Sequence, residues 1–287
     1  MTSSLRWTRW GAVSAPETLQ VRIGALFPGR VVVDAPRASR PMTSEEVVAN
    51  LDFFRDPGPR ERPIRALILS GIPDAWLGGA QLEGVVLYAV GAGLERIVLH
   101  LTPGQTAQPL PLGVSVAVVV RTPGDARALQ GEALAVTVPL LPGALGELGA
   151  VLAALATAPV SQLTLLWPLP AEGVHAPAAG EVIAALLALD DPCTPRWGIK
   201  GLPRCVLQPL AERIPDLSDR VWRSVNRFYV DADHQRRAAL LFQPDLVSFA
   251  KGDACRFCAL DQRCDGVAAP WLEAGLVGPL EPVRGGR

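Results

Sequence analysis

Residues 65–102 read RALILSGIPDAWLGGAQLEGVVLYAVGAGLERIVLHLT and contain two short apolar runs on either side of a longer mixed segment. The runs RALILSG and RIVLHLT are nearly continuous in apolar residues, which is typical of strands buried on both faces of a parallel sheet. The segment QLEGVVLYAVGAG between them ends on glycines and suits a helix that crosses over the sheet. This stretch therefore predicts a strand–helix–strand unit.

The same alternation continues outward in both directions. The segment TSEEVVANLDFF starts with Thr43 or Ser44 as a helix cap and has acidic residues in its first turn, which the helix dipole favours. GALGELGAVLAALAT and AAGEVIAALLALDD are two more predicted helices. Repeated strand–helix units with right-handed crossovers predict an α/β fold, namely a parallel α/β barrel or partial barrel. The remaining predicted strands are RVVVDAP (30–36), SVAVVVRT (115–122), ALAVTVPL (133–140) and QLTLLWPL (162–169).

Composition limits the classes of function. A chain of 287 residues can bury roughly three quarters of its unfolded surface without disulfides. The 27 Lys and Arg residues nearly balance the 28 Asp and Glu residues, so no global field attracts nucleic acid or an anionic membrane. The N-terminus has no apolar core of signal-peptide length, and no run reaches the roughly 18 apolar residues of a membrane span. We therefore expect a cytoplasmic protein that binds neither nucleic acid nor membrane.

The composition of the sequence changes near residue 191. The later part is rich in turns, charges and aromatic residues, and all five cysteines lie beyond residue 190. We therefore predict three segments, which are an N-terminal arm (1–28), the α/β barrel (29–190) and a small cysteine-rich C-terminal module (191–287).

The cysteines indicate a metal site in this module. Cys255 and Cys258 form a CxxC pair, Cys264 follows six residues later, and a site of four thiolates needs one more ligand. Cys205 and Cys193 are the candidates, and Cys205 is favoured by the Gly and Pro residues around it. In a reducing compartment clustered cysteines are metal ligands more often than disulfides. Spacing alone is equally compatible with zinc and with an iron–sulfur cluster, and the zinc site could be purely structural.

The order of these motifs resembles that of the radical S-adenosylmethionine (radical SAM) superfamily. RASRPMTSEEVVANLDFF followed by ALILSGIPDAWL is similar to the start of that family's barrel. GLPRCVLQ, CRFCALDQRCDG and APWLEAGLVGPLEPV resemble the family's auxiliary-cluster extension of the SPASM or Twitch type. The resemblance follows the whole chain in order. It implies a radical-SAM-like barrel and a C-terminal module that binds one auxiliary-type 4Fe-4S cluster, with Cys205, Cys255, Cys258 and Cys264 as its ligands.

Two motifs depart from the family. Its catalytic cluster is bound by a CxxxCxxC loop, whereas no cysteine precedes Cys193 here. The turn that would hold the cofactor's amine reads Gly71, Ile72, Pro73, Asp74, so binding of S-adenosylmethionine is not expected. Reductive cleavage of that cofactor needs a cluster iron. The resemblance thus implies a degenerate pseudoenzyme that forms a heterodimer with an active radical SAM paralogue and helps it position a peptide or small-molecule substrate.

The residues leave two alternative functions open. Asp34, Asp74 and His100 lie at predicted strand ends, where α/β barrels place functional residues, and could support repurposed, non-radical chemistry. The chain could instead be an adaptor with a structural zinc site. The sequence leaves open whether the protein is an enzyme.

The remaining polar motifs are interpreted as structural. His175 and His234 lack partner spacing for metal or nucleophile chemistry and are expected to be solvated. VWRSVNRFYVDADHQRR is interpreted as a charged helix face rather than a nucleic-acid patch. Trp7 and Trp10 flank two arginines, which fits either a partner-binding segment or an arm packed on its own barrel.

Overall fold

The structure is a computed structural model. It describes residues 7–8, 11–12, 17–24, 38–55, 63–106, 110–111, 113–131, 134–168, 170, 175–189, 197–211, 213, 227–242, 249–262 and 264–284. By their contacts the residues divide into two compact units. The strands and helices of both units are numbered together in chain order.

The strands are β1 (Trp7–Thr8), β2 (Gly11–Ala12), β3 (Thr18–Arg22), β4 (Ala66–Ser70), β5 (Arg96–Leu101), β6 (Val114–Val119), β7 (Leu134–Pro139), β8 (Val160–Leu166), β9 (Trp197–Lys200), β10 (Arg227–Val230), β11 (Leu240–Phe242), β12 (Phe249–Ala250) and β13 (Val267–Ala268). The α-helices are α1 (Ser44–Arg55), α2 (Ala80–Gly91), α3 (Pro123–Arg127), α4 (Leu148–Leu155), α5 (Ala179–Leu187) and α6 (Ala269–Glu273). Short 3₁₀ helices cover Asp74–Trp76, Pro142–Glu147, Gln208–Leu210, Arg236–Ala238 and Asp253–Phe257.

The first unit comprises Met1–Pro28, Ala35–Ala117 and Ser224–Pro244. Its strands follow the hydrogen-bonded order β11-β10-β3-β4-β5-β6. Strands β10, β3, β4 and β5 are parallel, and β11 pairs with β10 in the antiparallel direction. The strands are buried on both faces, which is the environment expected for a parallel sheet. Fully buried core residues in this unit include Leu19, Val21, Val47, Leu67, Leu69, Ala89 and Leu99.

Helix α1 begins with a capping box. The backbone N–H of Glu46 donates to Oγ1 of Thr43 (3.3 Å), and the N–H of Thr43 donates to a carboxylate oxygen of Glu46 (2.9 Å). Thr43 is therefore the cap, as one of the two predicted candidates. Arg40 also hydrogen-bonds the Glu46 carboxylate, and this contact, rather than the helix alone, is the main reason that the pKa of Glu46 falls to about 2.

The second unit comprises Gly29–Asp34, Val118–Arg223 and Asp245–Arg287. Strands β7, β8 and β9 are parallel neighbours in that order. Strand β6 precedes β7 in the strand order, and its residues divide between the units. Trp167, just after β8, is fully buried. Gly201, just after β9, has φ +102°, and a Cβ there would lie 2.3 Å from the carbonyl oxygen of Trp167. Only glycine permits this approach of the two chain segments.

The predicted α/β class is confirmed: in each unit parallel strands alternate with helices along the chain. Five predicted strands correspond to β4, β5, β6, β7 and β8, and the predicted helices correspond to α1, α2, α4 and α5. The first turns of the 143–157 segment are 3₁₀ rather than α-helical, in the glycine-rich part Pro142–Glu147. The strand predicted at 30–36 lies outside the described residues.

Three parallel strands, β3, β9 and β10, and the antiparallel β11 escaped the sequence analysis. Strand β3 reads TLQVR, and β10 reads RFYV, so polar residues interrupt the apolar runs. In β3 even Gln20 and Arg22 are buried. Strand β3 lies in the segment predicted to be an N-terminal arm. The third strand, β9 (WGIK), follows a turn-rich stretch.

The segment interpreted as a charged helix face is not helical where it is described. Residues Arg227–Val230 form β10, and only Arg236–Ala238 make a single 3₁₀ turn. The aromatic and β-branched residues of RFYV pair with β3, which outweighs the helix propensity of the arginines. Within the described residues, no helix has the length and apolar character needed to span a membrane.

Candidate metal centre

The four predicted ligands all belong to the second unit. Cys205 lies in a turn after β9, where the N–H groups of Val206 and Leu207 donate to the carbonyl of Pro203. Cys255 lies in the 3₁₀ helix Asp253–Phe257, and Cys258 follows directly, with its N–H donating to the Cys255 carbonyl at 3.0 Å. All four cysteines, including Cys264, are free thiols and half-buried. Cys193, the other candidate for the fourth ligand, lies outside the described residues.

Backbone N–H groups point at two of these sulfurs. The N–H of Leu260 donates to Sγ of Cys258 (3.4 Å), and the N–H of Gly266 donates to Sγ of Cys264 (3.3 Å). Such bonds favour the thiolate over the thiol, and they are the bonds that tune sulfur ligands in metal centres.

The structure brings Cys205 beside the three C-terminal cysteines. Burial, followed by the negative charges of Cys264 and Cys255, raises the pKa of the Cys205 thiol to about 11, and Cys258 contributes in the same direction. Burial likewise raises the pKa of Cys264, although the Gly266 N–H and Lys251 oppose the shift. Four thiolates cannot coexist here without a compensating positive charge. The donor set therefore fits a tetrathiolate centre, which takes Zn²⁺ or an iron–sulfur cluster.

As the side chains are placed, no group of three or more His, Cys, Asp or Glu among the described residues is arranged so that it could hold a metal ion. The cysteines are thus neighbours rather than a preformed cage.

A small scaffold holds the cysteine loop. Strands β12 and β13 pair on either side of it, and Lys251 forms an ion pair with Asp261 at 2.8 Å. Gly266 has φ +88°, and a Cβ at this position would lie 2.1 Å from the carbonyl oxygen of Ala250. Gly266 is therefore required both by its left-handed backbone and by the close approach of residue 250.

The loop is anchored to the sheet of the same unit. Trp271 donates from its indole nitrogen to the carbonyl of Pro168 at 2.8 Å and makes an edge contact with Trp167. The N–H of Ala259 donates to the carbonyl of Val283, and that of Ala179 donates to the carbonyl of Leu276. The C-terminal segment is thereby fixed against the ends of β8 and α5.

Two of the three candidates for repurposed chemistry, Asp74 and His100, lie in the first unit. Asp74 accepts a hydrogen bond from Nε2 of Gln105 (2.7 Å), and Gln105 also bonds the backbone of Thr102 and Ile72. This network closes the GIPD turn, in which Gly71 has φ +61°. His100 is half-buried near the end of β5, and Asp34 lies outside the described residues.

The expectation for His234 is wrong. Its Nδ1 lies 2.8 Å from Oδ1 of Asp231, a carboxylate that is fully buried, so the ring has a fixed partner. His175, in contrast, is exposed. The sequence analysis did not identify Arg22, Asp231 or Gln105. Arg22 and Asp231 lie at the ends of β3 and β10, and neither strand is predicted from the sequence.

The comparisons with known proteins are limited to structure. The sequence matches no protein-family model and no curated protein. Two solved structures are similar to the chain: Streptococcus suis SuiB (7% identity, TM-score 0.48, 77% of this chain and 59% of that chain) and SuiB bound to precursor peptide SuiA (10% identity, TM-score 0.48, 95% of this chain and 76% of that chain). The chain thus spans 59% of the length of the first of them.

Proposed function

We propose that this chain binds one 4Fe-4S cluster through Cys205, Cys255, Cys258 and Cys264, and that it serves as a non-catalytic companion of an active radical SAM enzyme. The observation that carries the proposal is the position of Cys205. It is 50 residues or more from the other three in sequence. The segment just before it approaches Trp167 at Gly201, and the segment after Cys264 bonds the neighbouring Pro168 through Trp271. The turn after β9 and the C-terminal loop would together supply one donor set.

A bound cluster would remove the electrostatic conflict among the four thiolates. The N–H groups that point at Cys258 and Cys264 are preorganised for sulfur that carries negative charge. The CxxC turn supplies two adjacent ligands, and the Cys258–Cys264 spacer lets the chain return to a third. When bound, a 4Fe-4S cluster supplies a one-electron redox centre. Zinc would satisfy the same donors, and the metal analysis below separates the two.

The companion role is supported by the lack of cysteine in the N-terminal part of the sequence and by the contacts of the GIPD turn. Cysteine is absent from the first 192 residues, so this chain has no thiolates for a cluster at the barrel mouth. Asp74 of the GIPD turn is engaged by Gln105. Radical chemistry would therefore take place on a partner that has its own CxxxCxxC loop, and this chain would help to position the peptide or small-molecule substrate.

The test of the metal site is a set of five single Cys→Ala variants purified without oxygen. We expect iron, sulfide and visible cluster absorbance in the wild type and in Cys193→Ala, and their loss in each of the other four. Cys193→Ala is the matched control, because it removes a thiol of the same chain without touching the proposed centre. Stoichiometric zinc without iron, or iron retained by Cys205→Ala, would contradict the assignment.

The test of the companion role uses co-purification. A tagged wild-type chain is mixed with a radical SAM protein encoded beside it, and complex formation is measured by size-exclusion chromatography with light scattering. We expect a heterodimer. A chain that carries its cluster but stays apart from every such neighbour would reject the companion role while leaving the metal site intact.

A further inference from the structure

A second polar cluster lies in the first unit, whereas the four described cysteines belong to the second. Asp231 follows β10 directly, and Arg22 ends the neighbouring parallel strand β3. Nη2 of Arg22 lies 3.3 Å from Oδ2 of Asp231, and both side chains are buried. The two residues therefore share the carboxyl edge of the sheet, where α/β proteins bind ligands at strand ends.

The Asp231 carboxylate orients His234. Its Oδ1 accepts from the backbone N–H of Asp233 (3.0 Å), the backbone N–H of His234 (2.9 Å) and Nδ1 of the His234 ring (2.8 Å). A carboxylate beside Arg22 is an acceptor only, so Nδ1 must carry the proton. In the neutral ring the lone pair then resides on Nε2. The His234 side chain is 31% exposed, and no hydrogen bond of Nε2 is made within the described residues.

The loop that carries His234 is locked in a strained conformation. Arg236 has φ +50°, the left-handed region that non-glycine residues rarely adopt. Its N–H donates to Oδ1 of the buried Asn50 (2.7 Å), whose Nδ2 bonds Gln235 (3.1 Å). Backbone strain of this kind persists where the surroundings over-determine it, and it is concentrated at functional sites.

The exposed charge that remains at this loop is mainly positive. Arg22 is neutralised by Asp231, and Arg40 is paired with Glu46. The Asp233 carboxylate is exposed and keeps its negative charge, and its oxygens accept from the backbone N–H and the hydroxyl of Ser39. Arg236 and Arg237 are exposed in the same loop. Guanidinium groups match oxyanions, phosphate in particular, through paired hydrogen bonds.

We propose that the loop Asp231–Arg237 is a binding site for a phosphate-class oxyanion that retains a hydroxyl at neutral pH, of which inorganic phosphate is the simplest. The Nε2 lone pair of His234 accepts the hydrogen bond of the ligand hydroxyl. Arg236 and Arg237 face its charged oxygens, and Asp231 and Arg22 are positioning residues. The site is independent of the cysteine centre and of the companion role.

The experiment compares inorganic phosphate with sulfate at neutral pH. Both are tetrahedral oxyanions, but only phosphate retains a hydroxyl that can donate to Nε2. The chain has three histidines, so their ring signals are resolvable by NMR with calorimetry in parallel. We expect phosphate to shift the His234 signals saturably and to bind more tightly than sulfate, by about tenfold for one hydrogen bond to a charged ligand.

Three variants separate a specific phosphate site from nonspecific binding of anions to the arginines. His234→Asn keeps a donor for Asp231 but removes Nε2, so it should lose the preference for phosphate. Arg236→Gly removes the guanidinium while accepting the positive φ, so it should weaken both anions. His175→Asn is the matched control and should bind like the wild type. Equal affinity for both anions, no shift of the His234 signals, or an unchanged preference in a folded His234→Asn variant would overturn the proposal.

Discussion

Arg22 and Asp231 form a buried ion pair 3.3 Å long although 209 residues separate them in the chain. The parallel pairing of Val21 with Val230 places them side by side at the ends of β3 and β10. Because each charge is buried, neither can be removed without leaving the other uncompensated. The pair therefore joins a segment near the N-terminus to one near residue 230.

Asp231→Asn is expected to destabilise the protein by about 3–5 kcal/mol, because it leaves the Arg22 guanidinium buried and unpaired. The measurement is the free energy of unfolding in urea. The exposed pair Arg65–Glu95, with N and O atoms 3.4 Å apart, supplies the matched control. Glu95→Gln should cost about 1 kcal/mol or less. Similar losses for the two variants would show that burial does not decide the contribution of Arg22–Asp231.

Gly266→Ala is expected to loosen the cysteine loop, because the new Cβ would collide with the carbonyl oxygen of Ala250. The control is Gly275→Ala, whose φ is also positive (+69°) but whose Cβ would meet nothing within 4 Å. That variant should lose only about 1 kcal/mol for the left-handed backbone. Unfolding free energy and metal content are measured for both, and equal losses would contradict the steric explanation.

The lowered pKa of Glu46 predicts that the protein loses stability in acid. Its pKa is lowered from 4.5 to about 2, chiefly by the hydrogen bond from Arg40, so the contribution is fully present above pH 4.5. It is lost as the pH falls toward 2. After allowance for the exposure of Arg40, Glu46→Gln should cost about 1–2 kcal/mol at pH 6 and nearly nothing at pH 2.

The measurement is urea unfolding across this pH range. Glu45→Gln, in the same helical turn but without the contact to Arg40, is the control and should change the pH dependence less. A pH profile of Glu46→Gln parallel to that of the wild type would rule out the linkage.

S-adenosylmethionine is expected to bind weakly or not at all. The chain has no cysteine before Cys193, and Asp74 of the GIPD turn is engaged with Gln105. Calorimetry of the anaerobically purified protein measures the affinity. Binding in the micromolar range would restore an enzymatic role for the first unit, and an Asp74→Asn variant would then show whether the turn takes part.

The sequence by itself determined the α/β class and most of the framework. Strands β4, β5, β7 and β8 each contain a short run rich in apolar residues, and such runs are typical of buried strands. The cap at Thr43 is equally local, because a hydroxyl and a carboxylate three residues apart satisfy the first N–H groups of the helix. The CxxC spacing of Cys255 and Cys258 also needed no tertiary information.

Tertiary structure alone decided which polar residues are buried and which distant residues meet. Gln20 and Arg22 look like solvent-facing residues in the sequence, but both are buried in the folded protein. Arg22 and Asp231 come together through the pairing of β3 with β10, two strands remote in sequence. These contacts depend on long-range packing energy, which no local pattern of residues records.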